Sequence, residues 1–147
     1  MNIEQAIQLA AMEHAGGKPD LNGKPIILHV LRVMLAVPEE LQVPAVLHDI
    51  VEDTDTTLEM LAEFGATSHQ CFVVDVMTRR KGEKYWDYIS RVAVNADATI
   101  IKIADIKDNM RPDRAHPRSP TSRYIKALAI LKTVQVSFLR KAPSANG

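Results

Sequence analysis

The chain has one cysteine in 147 residues, so no intramolecular disulfide can form, and Cys71 reads as a small buried side chain. A reducing compartment suits such a protein. It also lacks a charge excess: 18 basic side chains face 18 acidic ones. That balance removes a global attraction to nucleic acid or to an anionic membrane, and no basic helix suggests DNA recognition. There is no long apolar run either. The longest, "IILHVLRVMLAV", is broken by His29 and Arg32 and is too short to span a bilayer. The opening "MNIEQAIQLAAMEH" carries Glu4 and repeats Ile3, Ile7 and Ala10 at helical spacing, so it reads as an amphipathic helix rather than a leader. These exclusions leave a cytoplasmic protein of one compact domain over residues 1–141, with residues 142–147 as a flexible tail.

The residues present favour helices. A first helix is expected to about Ala15, followed by the turn-rich "GGKPDLNGKP". A second covers about Ile26–Ala36, and Pro38 opens a short one through Leu41. The stretch from Val43 to Asp53 reads as one helix. Thr56 or Asp55 is then the expected cap of a short helix that Gly65 ends. "YWDYISRVAV" sets Tyr85, Tyr88 or Ile89, and Val92 on one side. Ser119-Pro120 starts a long last helix to about Lys141. The segment "ATIIKIADIKDNMR" is ambiguous, because its Thr-Ile-Ile start favours a strand by propensity.

Chemistry concentrates in "AVLHDIVEDTDTT", residues 45–57, where His48, Asp49, Glu52 and Asp53 interrupt apolar residues. A buried carboxylate costs several kcal/mol unless something pairs with it. His29 in "PIILHVLRV" and Asp105 in "IKIADIKDN" are likewise set among apolar neighbours. Two histidines and two aspartates from three hydrophobic segments form a mixed nitrogen and oxygen set suited to Mn, Fe or Zn. On a helix, Glu52 and Asp53 follow His48 and Asp49 by one turn, where a carboxylate can deprotonate a metal-bound water. An anionic substrate would need a basic rim. Arg79, Arg80, Lys81 and Lys84 of "RRKGEK" could supply it, as could Lys102 and Arg111. Tyr85, Trp86 and Tyr88 offer either a stacking face or core packing.

His29, "LHDIVEDTDTT" and "KIADIKDNMR" together resemble the HD-domain phosphohydrolases, and within them the alarmone-hydrolase branch that includes the RelA/SpoT hydrolase domain and small stand-alone hydrolases. The similarity runs over roughly residues 3 to 115. It implies an all-α, compact helical bundle of the HD-domain type, which makes the ambiguous segment a helix. It implies one Mn²⁺ held by His29, His48, Asp49 and Asp105, with Glu52 and Asp53 activating water and Asn109 lining the nucleotide pocket. Arg79, Lys81, Lys102 and Arg111 are expected to contact substrate beside Asn109. The implied reaction removes the 3′-diphosphate of ppGpp or pppGpp, giving GDP or GTP and pyrophosphate. The partner is thus a small phosphorylated nucleotide, with neither nucleic acid nor membrane; an oligomer is possible. The departures lie elsewhere. Asp20 and Leu21 stand where the family has Arg-Lys, Ile26 replaces its tyrosine, and Pro112 its threonine. An altered base wall leaves two alternatives open: an HD-type phosphatase for another nucleotide, such as a nucleoside monophosphate or NADPH, and a non-catalytic nucleotide-binding module.

Overall fold

The computed structural model describes residues 1–141, and the expected tail 142–147 lies outside the described residues. These residues form an all-helical bundle with no strand among them. In chain order the helices are α1 (Ile3–Glu13), α2 (Ile27–Leu35), α3 (Gln42–Val46), α4 (Ile50–Asp53), α5 (Leu58–Glu63), α6 (Ser68–Met77), α7 (Tyr85–Ala93), α8 (Ala96–Asn109) and α9 (Thr121–Lys141), with 3₁₀ turns at Glu39–Leu41 and Pro112–Arg114. No described helix is long and apolar enough to cross a membrane.

α8 is the centre of the bundle and packs against α2, α6, α7 and α9. Its buried residues include Ala98, Thr99, Ile101, Ile103, Ala104 and Ile106, which lie around most of its circumference. A helix enclosed on nearly all sides has no polar face to betray its period, which is why its sequence reads ambiguously. Asn95 starts it by accepting the Ala98 amide at 2.8 Å. Leu47, Ile50, Ile101, Ile106 and Leu131 are among the largest fully buried side chains, so the core gathers around α8, from the α3–α4 corner to α9.

Two expectations change. The segment Val43–Asp53 is not one helix: α3 ends at Val46, and Leu47–Asp49 form a turn before α4. His48 causes the break. Its Nδ1 donates to the Ala45 carbonyl at 2.8 Å, while its own amide reaches that oxygen only at 3.5 Å. A side chain has taken an acceptor that the helix ladder would use. The cap of α5 is Thr57, whose hydroxyl accepts the Met60 amide, rather than Asp55 or Thr56. Thr56 is buried and donates to Glu13 at 3.0 Å, which ties this corner to the end of α1.

Candidate metal centre and its cavities

Four of the residues that stand out in the sequence meet where α2, the Leu47–Asp49 turn and α8 converge. His29, His48 and Asp105 each offer a ligand atom, all within 4.8 Å of one another. His29 Nε2 lies 3.2 Å from Asp105 Oδ1 and 3.6 Å from Asp49 Oδ2. His48 Nε2 lies 3.2 Å from Asp49 Oδ1 and 3.8 Å from Asp105 Oδ1. His29, His48 and Asp105 are buried, and Asp49 is partly exposed.

Both imidazoles are oriented from behind. His29 Nδ1 donates to Asp108 Oδ2 at 2.7 Å, and that carboxylate is also gripped by Arg32 Nε at 2.6 Å and Arg114 Nη1 at 2.6 Å. His48 Nδ1 is held by the Ala45 carbonyl, an acceptor only, so that nitrogen carries the proton. The lone pairs of both Nε2 atoms therefore face the carboxylates, the arrangement that a metal-binding imidazole requires. Among the described residues, His48 Nε2 is buried and, despite lying 3.2 Å from Asp49, makes no hydrogen bond of acceptable geometry. Such an orphaned acceptor costs free energy unless something occupies it, and the mixed imidazole and carboxylate set suits a divalent ion. The residues fit a metal.

The charges respond accordingly. Burial works against protonating His29 and His48, but Asp105, Asp108 and Asp49 raise His29, and Asp49 and Asp105 raise His48, above the ordinary histidine value. Burial works to raise Asp49, and the neighbouring His48 overrides it, bringing Asp49 down to about 2. Asp105 is buried yet held well below the usual carboxylate range by Lys102, whose Nζ lies 2.6 Å from Oδ2. Asn109 donates to its other oxygen at 2.7 Å.

Two adjoining cavities open beside this cluster. One, of about 180 Å³, is lined by His29, Asp49 and Asp105 together with Arg79, Lys102, Arg114 and Arg123. The other, of about 420 Å³, lies between the end of α1, the Gly17–Asn22 loop and Asp53. Ile26, Glu52, Asn109, Arg114 and Tyr124 line both. Burial, with the Asp49 and Glu52 carboxylates beside it, lifts Asp53 to about 6. Of the residues expected to touch substrate, Asn109, Lys102 and Arg79 line the smaller cavity. Lys81 and Arg111 line neither: Lys81 belongs to the exposed Thr78–Lys84 loop, and Arg111 pairs with Asp113 at 2.9 Å. Tyr88 is mostly core, with its hydroxyl on the Met77 carbonyl, and both it and Tyr85 line the smaller cavity.

Sequence reasoning missed Asp108, Arg114, Arg123, Tyr124 and His14. Asp108 follows Asp105 by three positions, so both fall on one helix face, a signal available in "ADIKDN". His14 ends α1, is buried, leaves Nε2 without a partner and lines the larger cavity; burial pulls its pKa down.

The all-helical bundle, with its His-Asp turn facing an aspartate on a central helix, agrees with the fold that the HD-domain resemblance implies. No family model matches the chain. It is 31% identical over 123 positions to the guanosine-3′,5′-bis(diphosphate) 3′-pyrophosphohydrolase of Aquifex aeolicus, covering 74% of this chain and 17% of that protein. It is 33% identical over 148 aligned positions to a probable GTP pyrophosphokinase of Mycobacterium leprae, covering 90% of this chain and 18% of that protein. The chain thus spans less than a fifth of the length of these curated relatives. A solved structure of a metazoan ortholog of SpoT, described as hydrolysing ppGpp and playing a role in starvation responses, superposes with a TM-score of 0.68 at 22% identity, covering 96% of this chain and 95% of that one. In sequence and fold, then, the chain is similar to the alarmone-hydrolase branch of the HD-domain proteins.

Proposed function

We propose that this protein is a metal-dependent phosphohydrolase of the cytoplasm that removes the 3′-diphosphate from ppGpp or pppGpp, releasing pyrophosphate with GDP or GTP. The observation that carries the reading is the convergence of two oriented imidazoles and two carboxylates on the wall of a cavity, with His48 Nε2 buried and unpartnered. His29, His48, Asp49 and Asp105 would hold one divalent ion, Mn²⁺ being the ion the family resemblance implies. Such an ion supplies Lewis acidity and a water of lowered pKa. Glu52, which lines both cavities, would orient the attacking water. Asp53, with a pKa lifted to about 6, is matched to accepting a proton near neutral pH. Arg79, Lys102, Arg114 and Arg123 give the smaller cavity the positive wall that a diphosphate needs. Asn109 bridges Asp105 to both cavities and can hold the ribose or phosphate edge of the nucleotide.

The second reading is hydrolysis of a different nucleotide. Asp20 favours it, because its carboxylate and not a basic side chain stands at the wall of the larger cavity and faces Arg114 at 3.5 Å. Incubation of the Mn²⁺-loaded protein with ppGpp, followed by chromatography of the products, decides between them. GDP and pyrophosphate are expected. Intact ppGpp, with phosphate released from a nucleoside monophosphate or NADPH, would establish the second reading. No turnover of any of these, with nucleotide still bound, would reduce the protein to a binding module. Glu52→Gln is expected to keep its metal and lose turnover.

A further inference from the structure

The basic loop between α6 and α7, Thr78–Lys84, is closed by an ion pair that the reaction has so far not used. Arg91 on α7 forks onto Glu83, with Nε to Oε1 and Nη2 to Oε2 both at 2.9 Å. The same guanidinium donates to the Val76 carbonyl at 2.9 Å and the Thr78 carbonyl at 3.0 Å, at the buried C-terminal end of α6. Glu83 in turn accepts the Arg80 amide on Oε2 at 2.9 Å, and its own carbonyl takes Arg79 Nε at 3.0 Å and Nη2 at 2.6 Å. Arg79 is thereby fixed at both its side chain and its neighbour's backbone. Its own amide points out of the loop and donates to Glu52 Oε2 at 3.1 Å. Among the described residues no hydrogen bond holds the Asp53 carboxylate, so of the adjacent acids Glu52 is the one tied down.

We infer that the Glu83–Arg91 pair is a positioning clamp for Glu52, acting through the backbone amide of Arg79. A carboxylate on a four-residue helix has several rotamers, and one directed amide selects among them. Arg91 suits the task because a fork with five donors can hold a carboxylate and two carbonyls at once, which a lysine cannot. Glu83 and Arg91 touch no substrate; they act on the group that does. This deepens the proposed reaction and rests on it for the role of Glu52, while the geometry of the clamp stands apart from any activity.

The test uses the full chain with Arg91→Gln and Glu83→Gln. In the Mn²⁺-loaded protein, kcat on ppGpp is expected to fall about tenfold with KM within about twofold and metal content unchanged, since misplacing a reacting group costs rate rather than binding. Arg91→Lys should recover part of that loss, because it restores the charge. In metal-free protein, the ¹⁵N–¹H resonance of the Arg79 amide should move on Glu52→Gln, and its hydrogen exchange should quicken about tenfold in Arg91→Gln. An Arg79 amide that ignores both substitutions overturns the clamp. So does a KM that rises as kcat holds, or a Glu83→Gln protein of unchanged kcat. If Arg91→Gln fails to fold, Glu83→Gln carries the same readouts. If wild type leaves ppGpp intact, the proposed substrate falls, and the Arg79 amide alone decides for or against the clamp.

Discussion

The histidine–carboxylate cluster and the Gly17–Ile26 loop border the same pair of cavities but are built in opposite ways. Every member of the cluster sits on a helix or at its edge, and nearly every spare atom is held from behind: His29 by Asp108, His48 by Ala45, Asp105 by Lys102 and Asn109. The loop is carried by backbone turns. Asp20 Oδ1 accepts the amides of Asn22 and Lys24 at 2.9 Å each, and Gly23 takes φ 74°, a conformation that favours glycine. Lys18, Pro19, Leu21 and Asn22 are exposed. Groups that perform chemistry must be held to fractions of an ångström, while groups that choose among ligands can vary on a loop. The two regions should therefore fail differently when altered.

The largest effect is expected in the cluster. His48→Ala removes one proposed ligand and exposes the Ala45 carbonyl to a void, and metal content by elemental analysis should drop to background. Full retention of metal would remove His48 from the ligand set. The same ligands set a pH dependence. With folded-state values raised above 6.5, His29 and His48 hold protons that a metal must displace. Affinity is thus full at high pH and is lost as pH falls through the raised values, with protons released on binding. Calorimetric titrations with Mn²⁺ in two buffers of different ionisation enthalpy would count them.

Asp108 comes next, since it supports His29 without facing the cluster. Asp108→Asn loses the charge shared by Arg32 and Arg114 but keeps the size of the side chain. Metal affinity should weaken about 10- to 100-fold, the usual range for a residue that orients a ligand. Three groups push this carboxyl well below its ordinary value: against the cost of burial stand His29 first, then Arg32 and Arg114. An unchanged affinity would mean that packing alone orients His29.

The same contrast governs what the sequence made legible. His29, His48, Asp49 and Asp105 could be picked out because each is a polar residue in an apolar segment, and burial demands an explanation for it. The helical class was equally open to reading from periodicity. α8 was not, because enclosure on nearly all sides erases the amphipathic signal, and its identity as a helix came through the family resemblance. Asp108 escaped notice for another reason: beside Lys107 and Asn109 it looks like solvated surface, and only the approach of Arg32 and Arg114 from distant positions buries it. Charge nominates Lys81, and charge with a place beside the Asp105–Asn109 segment nominates Arg111, and neither signal says which way a side chain turns. Arg114 and Arg123 reach the cavity from a 3₁₀ turn and the first turn of α9, a placement fixed by tertiary packing.

The smallest effect belongs to the loop. Asp20→Asn keeps the Oδ1 acceptor that closes the Asn22 and Lys24 turn and removes only the charge facing Arg114. The pair is largely shielded from water but long at 3.5 Å, and an effect of about 1 kcal/mol is a factor of about five in an equilibrium constant. Two consequences follow from the geometry. Arg114 keeps its contact to Asp108, so His29 stays oriented and the metal should stay bound. The larger cavity meanwhile loses one negative charge and gains a less encumbered guanidinium. KM for ppGpp should therefore fall about threefold with kcat unchanged, because uniform binding of an anionic nucleotide improves while the reacting groups do not move. A matched fall in kcat would show that the loop shares the cluster's rigidity and would erase the contrast between them. An unchanged KM would place the nucleotide outside the cavity that Asp20 borders.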